Sequence, residues 1–300
     1  MIRYLVLLAI VVTGLPGCAW FGDKDNSEPP LELEPFDETV RLRVLWSRDT
    51  GSGTDEQNVN LVPAVTGDRI YAADRDGVVW AYQFDDGKTL WRVKTGTRLS
   101  AGPGVGEGLV AVGTSDGEVI VLAEEDGLEL WRVKAPSEVL AVPRIYQGVV
   151  IIQTVDGALS GFDASNGERI WVNDRDVPVL TLRGTSSPLV IDNVVLAGFS
   201  NGKLVAVDVR TGSKLWEIPV AVPKGRSELE RIVDLDVDAV ISDTRLYVAS
   251  FQGNLKAIDL TTGREDWSRD ISAYAGIAVD YSQVYVSDAN SEVWAFDSSG

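Results

Sequence analysis

The chain has 300 residues, 45% hydrophobic and 24% charged, a composition of folded globular chains and not of disordered ones. Its net charge of −18 repels nucleic acid and anionic headgroups, so proteins or neutral small molecules are the expected partners. The sequence contains no histidine, which removes imidazole acid–base and ligand chemistry, and its single cysteine, Cys18, rules out an intrachain disulfide.

The chain opens with Arg3, a minimal positive region, and an apolar run from Tyr4 to Val12 that is too short to span a bilayer. The run leads to Leu15-Pro16-Gly17-Cys18, which resembles the bacterial lipobox. There the cysteine is lipidated and becomes the mature N-terminus. A diacylglycerol thioether plus an N-acyl chain (palmitate in character) gives three chains, enough for stable anchoring. Lipidation also consumes the one thiol. Pro16 departs from the small residue usual at that position, and the alternative is an ordinary signal peptide with an incidental cysteine. Trp20 stands where a lipoprotein kept in the inner membrane usually carries Asp, so the resemblance implies the outer membrane. Residues 1–17 are therefore expected to be a signal peptide. Residues 18–38, with Pro29, Pro30, Pro35 and many acids, read as the lipidated cysteine and a tether. Residues 39–300 read as a β-propeller.

A repeat governs that last segment. Gly77 precedes Gly87 by ten residues, and Trp91 follows four later. The same two spacings recur at Gly117, Gly127 and Trp131; at Gly157, Gly167 and Trp171; at Gly202, Gly212 and Trp216; and at Gly253, Gly263 and Trp267. Fourteen residues before the first glycine stands Pro63, Pro103, Pro143 or Pro188 in the first four copies. Each unit predicts four short strands, such as Val62-Pro63-Ala64-Val65, Arg69–Ala73, Lys203–Asp208 and Lys214–Glu217. Asp76-Gly77, Asp116-Gly117, Asp156-Gly157 and Asn201-Gly202 are pairs that accept the positive φ of tight hairpins. Four antiparallel strands per unit of about 40 residues make a propeller blade. One Trp per blade reads as a packing residue against the neighbouring blade. An aromatic ligand platform needs only one or two such rings.

The ends of the repeat are incomplete. Trp46, in Leu45-Trp46-Ser47, reads as an isolated fourth strand, and a sixth unit stops at Gly300 before its Trp. Joining the two would complete a blade. Because the chain stops inside a repeat, a larger ring, with its last repeats outside this sequence, is expected instead.

Function is expected where the repeat is irregular. From each Trp to the next Pro-equivalent position the spacing is 12, 12, 17, 23 and 9 residues in chain order, so the long connections follow Trp171 and Trp216. In up-and-down blades such connections emerge on one face, and adjacent ones lie side by side. The first holds Val179-Leu180-Thr181-Leu182-Arg183-Gly184, a plausible anchor set for a protein partner. The other reading is that Leu180 and Leu182 are a core-facing strand pair. The second holds Ser227 and Glu230, spaced as a capping box, then Asp234 and Asp236 on one side of an extended segment. The other reading there is a solvated acidic turn.

Ala206-x-Asp208-x-x-Thr211-Gly212-x-x-x-Trp216 and Ala257-x-Asp259-x-x-Thr262-Gly263-x-x-x-Trp267 resemble the tryptophan-docking repeat of quinoprotein dehydrogenases. Lipobox, tether, the Leu-Thr-Leu-Arg-Gly loop and the Gly-Arg-Ser-Glu-Leu segment leading to Asp-x-Asp are more closely similar to the BamB family, the propeller lipoproteins of the outer-membrane β-barrel assembly machinery. The resemblance implies eight blades, a scaffold role in delivering nascent barrel proteins, and binding to the POTRA domains of BamA. It carries partner binding onto Leu180, Leu182, Arg183, Asp234 and Asp236. It implies no cofactor and no metal. The competing readings are a quinoprotein-type dehydrogenase, which would need a quinone over Ca²⁺ and often a disulfide of adjacent cysteines, and a periplasmic ligand-binding or sensor propeller.

Overall fold

A computed structural model describes residues 39–174, 178, 180–182 and 186–300, the side chain of Tyr274 excepted. Cys18, the signal peptide and the tether, and Arg183 lie outside the described residues. The chain divides into two units, Met1–Val44 and Leu45–Gly300. The described part of the first, residues 39–44, is exposed and carries no strand.

The second unit is a succession of antiparallel sheets, each built from consecutive strands. The first blade comprises β1 (Ala64–Thr66), β2 (Arg69–Ala73), β3 (Val78–Gln83) and β4 (Thr89–Lys94). The second comprises β5 (Leu99–Gly106), β6 (Leu109–Thr114), β7 (Glu118–Ala123) and β8 (Glu129–Lys134). The third holds β9 (Arg144–Tyr146), β10 (Val149–Gln153), β11 (Leu159–Asp163) and β12 (Arg169–Asn173). The fourth holds β13 (Leu189–Ile191), β14 (Val194–Gly198), β15 (Lys203–Asp208) and β16 (Lys214–Pro219). The fifth holds β17 (Val240–Ser242), β18 (Arg245–Ala249), β19 (Asn254–Asp259) and β20 (Arg264–Asp270). The last sheet has three strands, β21 (Ala273–Val279), β22 (Gln283–Asp288) and β23 (Val293–Asp297). This is the all-β propeller architecture that the repeat predicts.

The expected first strand is shifted. β1 begins at Ala64, one residue after Pro63, and β9 and β13 begin directly after Pro143 and Pro188. Proline has no N–H to give to a ladder, so it sits at the strand's entrance. Pro103 is the exception, inside β5 where the pairing with β6 slips between Ala101 and Gly104. The hairpin glycines do what the sequence asks of them, with φ of 89° at Gly77 and 71° at Gly117. In the fifth blade the positive φ moves to Gln252 instead of Gly253.

Each outer hairpin carries a bulge at one place. Trp91 pairs with Ala81, but the next pair is Tyr82 with Thr89, so Leu90 is the extra residue. The same slip precedes Trp131, Trp171, Trp216 and Trp267. A bulge bends the strand and re-aims its side chains. Here it turns the Trp toward the following blade. Trp131 Nε1 donates to the Ala164 carbonyl at 2.8 Å, and its ring lies where a Cβ on Gly167 would stand, 2.7 Å from Cε3. Trp91 meets Glu124 and Gly127, Trp171 meets Val209 and Gly212, and Trp267 meets Ser298 and Gly300 in the same way. Each of these rings is at most 8% exposed. Apolar clusters fill the gap between every pair of successive sheets.

One Trp departs from this geometry, and one expectation needs correction. Trp216 does not follow its counterparts: it stays half-buried, and a Cβ on Gly263 would meet nothing within 4 Å. Instead its ring joins Leu246 and the partly buried Leu260 in the cluster between the fourth and fifth blades. Trp46 docks like a fourth-strand Trp, its Nε1 donating to Phe84 at 2.8 Å and its ring against Gly87, yet Leu45–Ser47 forms no strand and does not pair with β23. Among the described residues no fourth strand completes the last sheet.

Candidate functional site

The two long connections, residues 174–188 and 220–239, meet. The second begins with the expected capping arrangement. Glu230 N–H donates to Ser227 Oγ at 3.3 Å, while the Glu230 carboxylate accepts from the backbone of Arg226 at 2.6 Å and Ser227 at 3.2 Å. These bonds hold a single 3₁₀ turn, Leu229–Arg231, and draw the Glu230 carboxyl below its usual range. Leu229 on that turn is 66% exposed.

After the turn the chain runs extended with a period of two. Val233, Leu235 and Val237 are buried, and Leu235 and Val237 enter the clusters on either side of the fifth blade. The alternation sends Asp234, Asp236 and Asp238 to the opposite side. That side faces the connection between the third and fourth blades. Asp234 Oδ2 accepts the Leu182 amide. Asp238 Oδ1 accepts the Ser187 amide at 2.5 Å. Ser187 is 3% exposed, and its Oγ takes the Val142 amide at 3.2 Å and Asn60 Nδ2 at 3.4 Å. The first connection is thus pinned at two points by carboxylates of the second. Burying charged acceptors is tolerable only with such donors.

Sequence reasoning left two readings open for each connection, and the geometry separates them. Residues 180–182 carry no strand, and Leu180 is 46% exposed, so Leu180 and Leu182 are not a core-facing strand pair. Asp234 is fully buried, so the stretch 234–236 is not a solvated turn, whereas residues 222–231 before it are exposed. Leu182 and Asp236 border one cavity of about 760 Å³ together with Asn60, Leu140, Asp238 and Phe251. Burial pushes the Asp236 carboxyl up to about 7. Burial, then the neighbouring Asp236 charge, pushes Asp234 up to about 7 as well, against the pull of the Leu182 amide. Arg183, the remaining member of the set, lies outside the described residues.

The sequence missed Asp238, Ser187 and Asn60. Asp238 had a signal: it continues the two-residue alternation of Asp234 and Asp236. Ser187 and Asn60 had none, because they join the site through contacts across 51 and 127 positions of chain.

Comparison with known proteins identifies the family. The family model described as outer membrane protein assembly factor BamB matches residues 38–98 and 75–300. The chain is 51% identical over 298 residues to the outer membrane protein assembly factor BamB of Pseudomonas aeruginosa, covering 99% of this chain and 78% of that one. It is 43% identical over 303 residues to the Legionella pneumophila protein of that name, with coverage of 99% and 78%. The crystal structure of BamB from Moraxella catarrhalis superposes with a TM-score of 0.75 at 29% identity, over 81% of this chain and 73% of that one. A quinohemoprotein alcohol dehydrogenase from Pseudomonas putida superposes at 0.55 and 18% identity, over 71% of this chain and 42% of that one, which is a likeness of fold alone.

Proposed function

The chain belongs to the BamB family of outer membrane protein assembly factors, and from that premise we propose that it is a non-catalytic scaffold which docks on the POTRA domains of BamA through the face built by its two long connections. The curated relatives are assembly factors and not enzymes, so the dehydrogenase reading falls. In this reading Leu180, Leu182 and Arg183 touch the partner. Asp234 supports them from below by holding the Leu182 amide, and Asp236 closes the cavity beside Leu182. Cys18 carries the lipid that tethers the protein to the periplasmic face of the outer membrane. The partners are BamA, other subunits of the assembly complex, and unfolded outer-membrane protein clients.

One observation carries the proposal: a half-exposed leucine loop is fixed to a second loop by two carboxylates, the buried Asp234 and the exposed Asp238. Exposed apolar side chains on a rigid frame bind without a large ordering penalty. The test is capture of a BamA POTRA fragment by the purified chain. Leu182→Ala and Arg183→Ala each abolish capture while far-UV circular dichroism stays unchanged. Undiminished capture by both variants removes the site assignment.

A further inference from the structure

The second connection carries a built element ahead of Asp234. Residues 222–231 are all exposed, and the 3₁₀ turn Leu229–Arg231 buries none of its side chains. It is nevertheless a defined structure. The Glu230 carboxylate takes the Arg226 and Ser227 amides, and Ser227 Oγ takes the Glu230 amide. Gly225, at a φ of 127°, lets the chain close over Glu230, where a Cβ would collide with the Glu230 Cβ. A merely solvated loop needs neither the cap nor the glycine. The turn adds nothing to a core, so what its order fixes is the position of an outward side chain, Leu229, which is 66% exposed.

The charge of this stretch is also out of keeping with the molecule. Lys224, Arg226 and Arg231 stand against Glu228 and Glu230, a positive excess in a chain of net charge −18. Arg231 is paired with Glu228 at 3.8 Å. Among the described residues no ion pair reaches Lys224 or Arg226. A basic turn tipped by a fixed leucine complements an acidic protein surface with an apolar hollow. Leu229 stands five residues before Asp234, at most about 18 Å when extended. The turn and the leucine loop therefore fit within one interface of ordinary size, about 800 Å² a side. Given the docking proposed above, on which this rests, we propose that the Leu229 turn is a second anchor for the same partner. Leu229 is seated in an apolar hollow of that protein, and Lys224 and Arg226 face its acidic side chains. A membrane surface also takes basic, apolar elements, but the overall negative charge of this chain opposes an anionic headgroup layer.

The experiment measures binding of a purified BamA POTRA fragment to the immobilised full chain by biolayer interferometry. Leu229→Ala is expected to weaken the Kd roughly tenfold, chiefly through faster dissociation. Its thermal unfolding midpoint stays that of the wild type, because the side chain packs in no core. Reversing both charges, Lys224→Glu with Arg226→Glu, slows association and flattens its dependence on salt. Gly225→Ala weakens binding with Leu229 still in place, because the turn is no longer held. Wild-type kinetics in Leu229→Ala and in the charge-reversed chain, beside lost binding in Leu182→Ala, overturn the second anchor and leave the leucine loop standing. Undiminished binding by all of these variants, or no binding by the wild type, removes both. Vesicles of phosphatidylethanolamine with phosphatidylglycerol test the membrane. Vesicle binding that Leu229→Ala abolishes, with POTRA binding unchanged, also overturns the proposal.

Discussion

The outer rim of the molecule and its loop face are built on opposite terms. On the rim, a Trp closes against a glycine of the next blade by one recurring device: a bulge, a ring over a Cα and an indole N–H to a carbonyl. On the face, the connections after Trp171 and Trp216 share no pattern with their shorter counterparts, and carboxylates of the second hold backbone amides of the first. Repetition makes the rim a sum of similar joints, each dispensable for recognition. Irregularity gives the face a single place that no other pair of blades reproduces. The joint between the fourth and fifth blades shows both at once. It carries the longest connection, and it is where the rim device lapses, with Trp216 half-buried and Gly263 open.

That contrast can be broken by mutation. The largest expected effect is on the rim: Trp131→Ala removes a buried ring and its hydrogen bond and lowers stability by about 3–5 kcal/mol in urea unfolding. Trp216→Ala loses clearly less in the same assay, because less of the ring is buried. Equal losses would show that the fourth joint is not different after all. Next comes Gly127→Ala, whose new Cβ would stand 2.8 Å from the Trp91 ring at a φ of 77°; about 2–4 kcal/mol is expected from overpacking and backbone strain together. Gly263→Ala meets open space and bears only the φ penalty, about 1–2 kcal/mol.

On the face, Asp234→Ala strands the Leu182 amide and is expected to remove about 1–3 kcal/mol. Its effect on partner capture is expected to exceed that of any rim variant compared at equal fraction folded. A rim variant that lost capture while still folded would dissolve the division of labour.

The smallest effect is a pH dependence. The carboxyls of Asp234 and Asp236 sit near 7 in the folded protein, above their value in the unfolded chain. The folded state therefore binds more protons than the unfolded one between roughly pH 4 and pH 7. Stability from these two groups is full below that window and is lost as pH rises through about 7. Comparing unfolding midpoints at pH 6 and pH 8 in chelator-containing buffer, the wild type falls relative to Asp236→Asn. A wild type and variant that run parallel across this range would show that the carboxyls are not raised.

Much of this was readable from residue types and spacing. Asp208 and Asp259 illustrate why. Each accepts the amide and hydroxyl of a Thr three residues on, a contact so local that the motif alone specifies it, and its carboxyl is drawn below the usual range. The Glu230 cap is local in the same sense. The sequence also located the two long connections, since a rigid repeat makes any change of spacing conspicuous.

By itself, then, the sequence determined the strands, the hairpins, the order of the blades and the two connections where the repeat is irregular, because each depends on neighbours within a few residues or on a fixed period. Only the tertiary structure decided what those connections do to each other. It put Asp234 beneath Leu182 and Asp238 beneath Ser187, and it bonded Gln153 to the Gly198 carbonyl of the next blade. Those pairings join residues 45 or more positions apart, through two different blades, and burial gives them their chemistry. Neither separation nor burial leaves a mark in the local pattern of side chains.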